Sequence, residues 1–166
     1  MEETPEDIQR LQALLDESIE QAGSFLRSSF QMPEHSLSAT QLVDYFEGVH
    51  TVALATVTAQ SEPRVAPIGT FFFRGSFYIP TVASAARAKH INRQPAISLT
   101  HFVGNDLAII VHGKATILSP EDADFEKLEQ VYYASAGQKV QDWGEGIYLR
   151  VESHKIYTYA RDMTQY

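Results

Sequence analysis

The chain is organised around Thr81-Val-Ala-Ser-Ala-Ala-Arg-Ala-Lys-His-Ile-Asn-Arg-Gln-Pro95. This segment predicts the end of a β-strand, a short loop and a helix that stops before a proline. Ser84 is the predicted N-cap, since its hydroxyl can accept from a free backbone N–H, and the alanines after it favour helix. The helix places four basic side chains within two turns: Arg87, Lys89, His90 and Arg93. Together with the positive end of the helix dipole, they predict a phosphate-binding site.

Acidic residues are absent from the region around this segment. The whole chain has 21 Asp and Glu in 166 residues, but there are none from Pro63 to Asn105, where about five would be expected from composition alone. The region carries Arg64, Arg74, Arg87, Lys89 and Arg93. A cationic region in a chain of net charge −8 indicates a bound anion. The alternative is that β-strands simply disfavour acidic residues.

Length and composition set broad limits. The 166 residues, of which 44% are hydrophobic, are typical of one globular domain. The absence of cysteine excludes disulfides, thiolate catalysis and Cys-ligated metals. The negative net charge argues against a nucleic-acid partner. No apolar run is long enough for a membrane span, and the acidic N-terminus has no signal-peptide pattern, so we expect a cytoplasmic protein without a membrane partner.

Residues 1–48 are predicted to form an N-terminal helical segment. Thr4-Pro5-Glu6-Asp7 is a helix start, and apolar residues at spacings of three and four extend the helix to about Ser28. That apolar face either docks on its own chain or contacts a partner chain, and the sequence does not separate the two. After a loop around Pro33, Ser38 and Gln41 form a capping box for a short helix that ends near Gly48.

Residues 49–166 are predicted to form a β-barrel. Strand-like runs are His50–Thr58, Arg64–Phe73, Ser76–Thr81, Ala96–Phe102, Leu107–Leu118, and Ile147–Val151 with Lys155–Ala160 as one or two strands. Short turns join several of them, which indicates antiparallel pairing. The basic helix interrupts the strands, and Ser119-Pro120 predicts another helix to about Tyr133. The fold class is α+β, a six-stranded antiparallel split barrel with N-terminal helices and a basic helix between strands.

Other catalytic patterns are weak. The six histidines have no metal-binding spacing, so we expect no metal site. There is no P-loop, Rossmann glycine motif or G-x-S-x-G elbow. Trp143, the only tryptophan, lies in a loop, where it either covers a planar ligand or packs in the core or an interface. An anion-binding helix beside an aromatic-rich barrel suits a planar heterocycle that carries a phosphate.

Three segments in this order resemble the pyridoxamine 5′-phosphate oxidase-like split β-barrel family, which includes flavin- and deazaflavin-dependent oxidoreductases. They are Ser61-Glu-Pro-Arg-Val-Ala-Pro67, Arg87-Ala-Lys-His-Ile-Asn-Arg-Gln-Pro-Ala-Ile-Ser98 and Val111-His-Gly-Lys-Ala115. The similarity covers about His50 to Leu118, with a weaker echo at Tyr148–Val151. The N-terminal helices and the Trp143 loop lie outside it.

The resemblance implies a homodimer with two cofactor sites across its interface. It implies that Arg87 and Lys89 bind the cofactor phosphate with help from Thr81 and Ser84. It also implies that the strand Val65–Gly69, which includes Pro67 and Ile68, lies against the isoalloxazine ring, with Arg64 at the start of that strand. We add Trp143 as a further candidate, from the partner subunit or its own. The cofactor is predicted to be FMN, with the deazaflavin coenzyme F420 as the alternative.

The chain departs from true pyridoxamine-phosphate oxidases at two places. It has Gly69 where they carry a lysine, and it lacks their C-terminal Arg-x-His substrate motif. Vitamin B6 oxidation is therefore not expected. We predict hydride transfer between the bound coenzyme and a small organic substrate. The alternatives are a non-catalytic carrier of flavin or haem, and a structural dimer that has lost its ligand.

Overall fold

The computed structural model describes residues 2–166 and contains a closed six-stranded antiparallel barrel. The strand order around the barrel is β1-β2-β3-β6-β5-β4. The strands are β1 His50–Val57, β2 Pro63–Phe73, β3 Ser76–Val82, β4 Ala96–Val103, β5 Leu107–Leu118 and β6 Gly146–Ala160. The helices are α1 Pro5–Gln21, α2 Ser24–Ser29, α3 Ala39–Tyr45, α4 Ala86–Arg93 and α5 Phe125–Ala136. The predicted α+β barrel with a basic helix between strands is therefore confirmed.

The last strand, β6, lies between β3 and β5 in the barrel. It is one continuous strand of 15 residues and pairs with β3 on one side and β5 on the other. Its register with β5 shifts between His112 and Gly113, because His154 of β6 has no partner there, so the extra residue of this bulge lies in β6. Inside the barrel, alternate residues such as Leu54, Leu99, Ile109 and Leu149 are buried, as a period of two requires.

The N-terminal helix α1 packs on the barrel of its own chain. Leu11 and Leu15 of α1 belong to the same apolar core as the barrel interior, so the apolar face of α1 is buried within its own chain. The backbone N–H of Ile156 in β6 donates to the Ser18 hydroxyl at 3.0 Å. The single helix expected up to Ser28 is wrong. The chain leaves α1 at Ala22 and starts α2 after Gly23.

The predicted helix start is confirmed for α3 and wrong for α5. The box at Ser38 and Gln41 is present at the start of α3. The helix expected directly after Ser119-Pro120 begins only at Phe125, because the Asp122 carboxylate accepts from the backbone N–H of Ser119 at 2.7 Å and closes a local turn. None of the helices within residues 2–166 has the length and apolarity of a membrane span.

A second, smaller core lies outside the barrel under α5. Aromatic side chains dominate it, and they come from β2, β3, α5 and β6: Phe71, Phe73, Tyr78, Phe125, Tyr132 and Tyr148. The 3₁₀ helix Val140–Trp143 follows α5 and packs over this core through the fully buried Val140. This core positions the loop that precedes β6.

Candidate functional site

A surface groove lies between the basic helix α4 and the adjoining ends of β1 and β2, and we call it the α4 groove. Its lining combines two arginines and a histidine with small and apolar side chains: Leu54, Thr56, Arg64, Val65, Ala66, Ala85, Ala86, Arg87 and His90. The antiparallel pairing of Thr56 with Arg64 and of Ala55 with Val65 places the two strand ends side by side. The groove thus joins a cationic end to an apolar wall.

Arg87 is the central cation of the α4 groove. Its Nη1 donates a hydrogen bond to the Thr81 hydroxyl at 3.1 Å, which holds the half-buried guanidinium against the end of β3. Thr81 is itself buried, at 3% exposure, so this contact is anchored in the barrel. The remaining N–H groups of the guanidinium are donors suited to an oxyanion, because Arg presents five of them in a planar fork.

Ser84 does not cap α4. The N-cap residue is Ala85, whose side chain makes no capping hydrogen bond, and the exposed Ser84 lies one residue earlier in the loop. The N-cap prediction for Ser84 is therefore wrong. Because the amides of the first turn have no side-chain cap, that turn keeps free N–H donors next to Arg87.

Acidic residues neutralise only part of the cationic region. Arg64 pairs with Glu62 at 2.6 Å, and Arg74 lies 3.8 Å from Asp7. Within residues 2–166, Arg87, Lys89 and Arg93 form no ion pair. The positive charge left without an acidic partner is therefore concentrated on α4.

Lys89 faces a different depression from Arg87. It lines a shallow surface pocket with Ala83, Asn92 and Ile147, among others, and Arg87 is not part of that pocket. The two basic residues lie two positions apart, and such residues project from different faces of a helix. The structure therefore brings Arg64, Val65, Thr81 and Arg87 together and leaves Lys89 apart.

The segment of β2 expected to contact the ring runs from the α4 groove along β1. Its register pairs Pro67 with Ala53, Ile68 with Val52 and Gly69 with Thr51. Val65 and Pro67 are exposed, whereas Ile68 is partly buried against the barrel core. Val65 also borders a shallow apolar patch on the outer barrel face with Ala53, Ala55, Thr100 and Ile110.

Trp143 packs on α5 and the loop after it. Its ring lies edge to face with Tyr132 at 6.1 Å, and its Nε1 donates to Gln138 at 3.3 Å. It does not line the α4 groove. The loop it belongs to does reach the basic segment, because the backbone N–H of Ala83 donates to the carbonyl of Glu145 at 2.9 Å.

Thr56 and Leu54 line the groove but were missed in the sequence analysis, and His90 was considered only as one basic residue of the helix. The imidazole Nδ1 of His90 lies 2.8 Å from the Thr56 hydroxyl. Nothing in the sequence joins these two residues, which are 34 positions apart. Only the alternation in β1 could have placed Thr56 on the same side as Leu54.

The donors of the α4 groove fit a phosphate group, and its apolar wall fits a flat organic group. Arg87 and the free amides of α4 can hold an oxyanion, while Val65, Ala66 and Leu54 exclude water beside it. Across residues 2–166, no three His, Asp or Glu side chains are grouped as metal ligands. The arrangement can bind and orient an anionic ligand.

A family model described as pyridoxamine 5′-phosphate oxidase matches residues 39–159, which is most of the chain. The chain belongs to the pyridoxamine 5′-phosphate oxidase family. The match to this family includes all six strands and the basic helix α4, and it excludes α1 and α2. The family resemblance inferred from the three sequence segments is thereby confirmed.

Solved structures share the family's fold at low sequence identity. A FAD-binding protein from Mesorhizobium loti is 17% identical with a TM-score of 0.57, covering 74% of this chain and 93% of its own. A protein named F420 reductase is 17% identical with a TM-score of 0.54, covering 68% and 93%. HutZ, the haem storage protein of Vibrio cholerae, is 13% identical with a TM-score of 0.57, covering 72% and 91%. No curated protein gives a significant sequence match.

Proposed function

We propose that this protein is a homodimeric oxidoreductase that binds FMN, with the deazaflavin coenzyme F420 as the alternative, and transfers a hydride to or from a small organic substrate. The observation that carries the proposal is Arg87, a cation with no acidic partner among residues 2–166, bound to Thr81 beside an apolar strand end. Solved structures of the same fold named as FAD-binding and as F420 reductase support a flavin-type ligand.

The residues of the chain would position the coenzyme, which itself supplies the redox chemistry. Arg87 and the first turn of α4 would hold the phosphate, and Thr81 would keep the guanidinium in place. The exposed edge of Val65 and Pro67 would lie along one face of the ring. Arg64, although paired with Glu62, would keep the potential near the ring positive and favour an anionic reduced coenzyme.

The outer barrel face supports the homodimer part of the proposal. Val65 is 69% exposed, and its neighbours across β1, β4 and β5 form a shallow apolar patch. An exposed apolar patch of this kind is typical of an interaction surface. It begins at the groove itself, so a second subunit seated there would enclose a ligand whose phosphate is bound by Arg87.

A titration with matched ligands and variants tests the proposal. The absorbance spectrum of the purified protein is recorded, and then FMN, riboflavin and F420 are titrated in. We expect FMN or F420 to saturate the protein, and Arg87→Ala to weaken phosphate-bearing ligands by about tenfold to a hundredfold, the value of a charged hydrogen bond. Arg93→Ala removes the same charge from the same helix outside the groove, and it should bind as the wild type does. Equal affinities of the Arg87→Ala and Arg93→Ala variants would contradict the phosphate assignment.

A non-catalytic haem or flavin carrier is the second candidate, since HutZ, the haem storage protein, shares the fold. A Soret band on adding haem, with no binding of FMN or F420, would favour this candidate. A bound flavin that neither dithionite nor a nicotinamide donor can cycle would favour a flavin carrier. A protein that binds none of the three ligands would leave the structural dimer as the explanation.

A further inference from the structure

We infer that His90 is an additional anion ligand of the α4 groove and that Thr56 orients its imidazole for this role. This inference rests on the proposed phosphate site and extends it to two residues outside the Arg-x-Lys pattern. It also predicts that anion binding strengthens as the pH falls.

The Thr56 hydroxyl is a buried partner that fixes one side of the imidazole. Thr56 is 3% exposed in β1, and its Oγ1 lies 2.8 Å from Nδ1 of His90. A threonine hydroxyl can donate or accept. In neutral His90 the hydroxyl either donates to Nδ1, with the ring proton on Nε2, or accepts from Nδ1–H, and an anion beside Nε2 selects the first arrangement. In protonated His90, Nδ1–H donates to the hydroxyl, and Nε2 again carries a proton.

With an anion bound, Nε2 is an N–H donor in both charge states, and the contact with Thr56 is satisfied in each. His90 lines the α4 groove together with Arg87 and Arg64, so this donor belongs to the same concave surface as the guanidinium of Arg87. Neutral imidazole offers an anion one hydrogen bond, and protonated imidazole offers the same bond with a positive charge, which strengthens it.

The charged groups that line the groove with His90 are two arginines. The groove contributes Arg64 from β2, which is paired with Glu62, and Arg87 from α4, which has no acidic partner within residues 2–166. β1 contributes only the uncharged Thr56 and Leu54. A bound dianion attracts a positive charge, so proton uptake by His90 and anion binding promote each other.

Two substitutions, His90→Gln and His90→Asn, separate the positive charge of the imidazole from its Nε2 hydrogen bond. His90→Gln can place an amide N–H near the position of Nε2 but cannot become charged. His90→Asn keeps a polar atom near Nδ1 and loses the Nε2 donor. Thr56→Val keeps the shape of the buried side chain and removes the hydroxyl that orients the ring. Arg93→Gln, on the same helix outside the groove, is the control for a change in net charge.

The experiment measures the affinities of FMN and riboflavin by flavin fluorescence at about pH 6 and pH 8, on either side of the range in which histidine changes charge. The FMN phosphate titrates in this range too, so each variant is compared with the wild type at the same pH. We expect His90→Gln to match the wild type within about twofold at pH 8 and to bind FMN about fivefold more weakly at pH 6. His90→Asn and Thr56→Val should be weaker at both pH values, while riboflavin binding stays unchanged.

Inorganic sulfate, whose charge is constant over this range, serves as a second probe through its effect on the melting temperature. Sulfate should stabilise the wild type more at pH 6 than at pH 8, and His90→Asn should lose this difference. If wild type and His90 variants bind FMN and sulfate equally at both pH values, the role of His90 is refuted while the proposed function stands. If no flavin binds but the sulfate effect depends on His90, the anion site stands and the proposed coenzyme is refuted. If neither probe binds, both are refuted.

Discussion

The hydroxyl of Tyr148 donates a hydrogen bond to Oε1 of Glu129 at 2.6 Å, and both residues are fully buried. The same oxygen accepts from the backbone N–H of Val140 at 2.9 Å. Glu129 thus joins α5, β6 and the 3₁₀ helix Val140–Trp143 at one atom. The loop that follows this 3₁₀ helix bonds to Ala83 in the basic segment.

Replacing Glu129 with alanine should lower the free energy of unfolding by about 3–5 kcal/mol. The substitution leaves the Tyr148 hydroxyl and the Val140 amide buried without an acceptor, and it opens space in an aromatic core. Tyr148→Phe should cost less, about 1–3 kcal/mol, because Glu129 keeps its bond to Val140. Urea unfolding followed by circular dichroism measures both free energies.

Tyr133→Phe, on the exposed side of α5, is the control for Glu129→Ala and Tyr148→Phe, and its free energy of unfolding should equal that of the wild type. A loss for Glu129→Ala no larger than that of the control would refute the role of this buried carboxylate.

The Tyr148 contact also predicts a decrease in stability at alkaline pH. Burial, and then the hydrogen bond to Glu129, raise the pKa of Tyr148 well above its usual value. Above about pH 10 the unfolded chain loses the phenolic proton, whereas the folded chain keeps it, so stability falls as the pH rises. Unfolding midpoints of wild type and Tyr148→Phe should therefore converge between about pH 9 and pH 11. A difference between the two proteins that stays constant over this range would contradict the prediction.

Asp7 should stabilise the protein at neutral pH and lose that effect in acid. The Thr4 backbone N–H donates to its carboxylate at 2.9 Å, and this bond is the main cause that lowers the pKa of Asp7, with help from Arg10. The stabilisation is present above about pH 4 and is lost as the pH falls through the lower folded-state pKa. Asp7→Asn should cost about 1 kcal/mol at pH 7 and almost nothing at about pH 2. Urea midpoints at the two pH values measure this, with the exposed Glu6→Gln as control. An equal cost in acid and at neutral pH would show that the charge of Asp7 is unimportant.

Gly146 should not tolerate even an alanine. A Cβ at this position would lie 2.1 Å from the carbonyl oxygen of Val140 and 2.9 Å from the amide nitrogen of Gln141, so backbone would have to move. Gly146→Ala should therefore cost about 1–3 kcal/mol, as overpacking does. Because Gly146 pairs with Val82 directly beside Thr81, we expect it to weaken FMN binding as well. Gly23→Ala is the matched control, since nothing lies within 4 Å of its added Cβ, and thermal melts of the two variants compare them. Equal melting temperatures would mean that the 3₁₀ helix moves freely.

The sequence predicted the barrel well because strand alternation and turn residues are local signals. The predictions of helix starts were wrong where a polar side chain can either cap a helix or bond within a loop. Ser119-Pro120 was predicted to start a helix, but the backbone N–H of Ser119 donates to Asp122 and closes a turn instead. Ser84 looked like an N-cap, but the helix begins one residue after Ala85. These choices depend on how the loop is anchored to the barrel, which a local pattern does not contain.

The sequence predicted the arginines of the candidate site, but it did not predict the contact between Thr56 and His90. Arg64, Val65, Thr81 and Arg87 lie together because the strand order and the basic helix bring them to one groove, whereas Lys89, also predicted to bind the phosphate, lies outside it. The pair of Thr56 and His90 depends on a contact between β1 and α4 across 34 residues. The separation of Lys89 from Arg87 follows from their spacing of two positions, which places them on different faces of any helix that contains both.

The apolar patch at Val65 is the surface proposed to form the dimer interface. If a second subunit covers it, Val65→Lys should place a charge in the interface and raise the dimer dissociation constant by more than about tenfold. Sedimentation analysis should then show monomers at concentrations where the wild type is a dimer. The affinity for FMN should fall as well, whereas Arg87→Ala should bind FMN more weakly and remain a dimer. Phe25→Lys, at an exposed apolar residue of α2, controls for a general effect of added charge. A monomeric wild type, or a Val65→Lys dimer of unchanged stability, would exclude this face as the interface and leave the α4 groove to bind its ligand within one subunit.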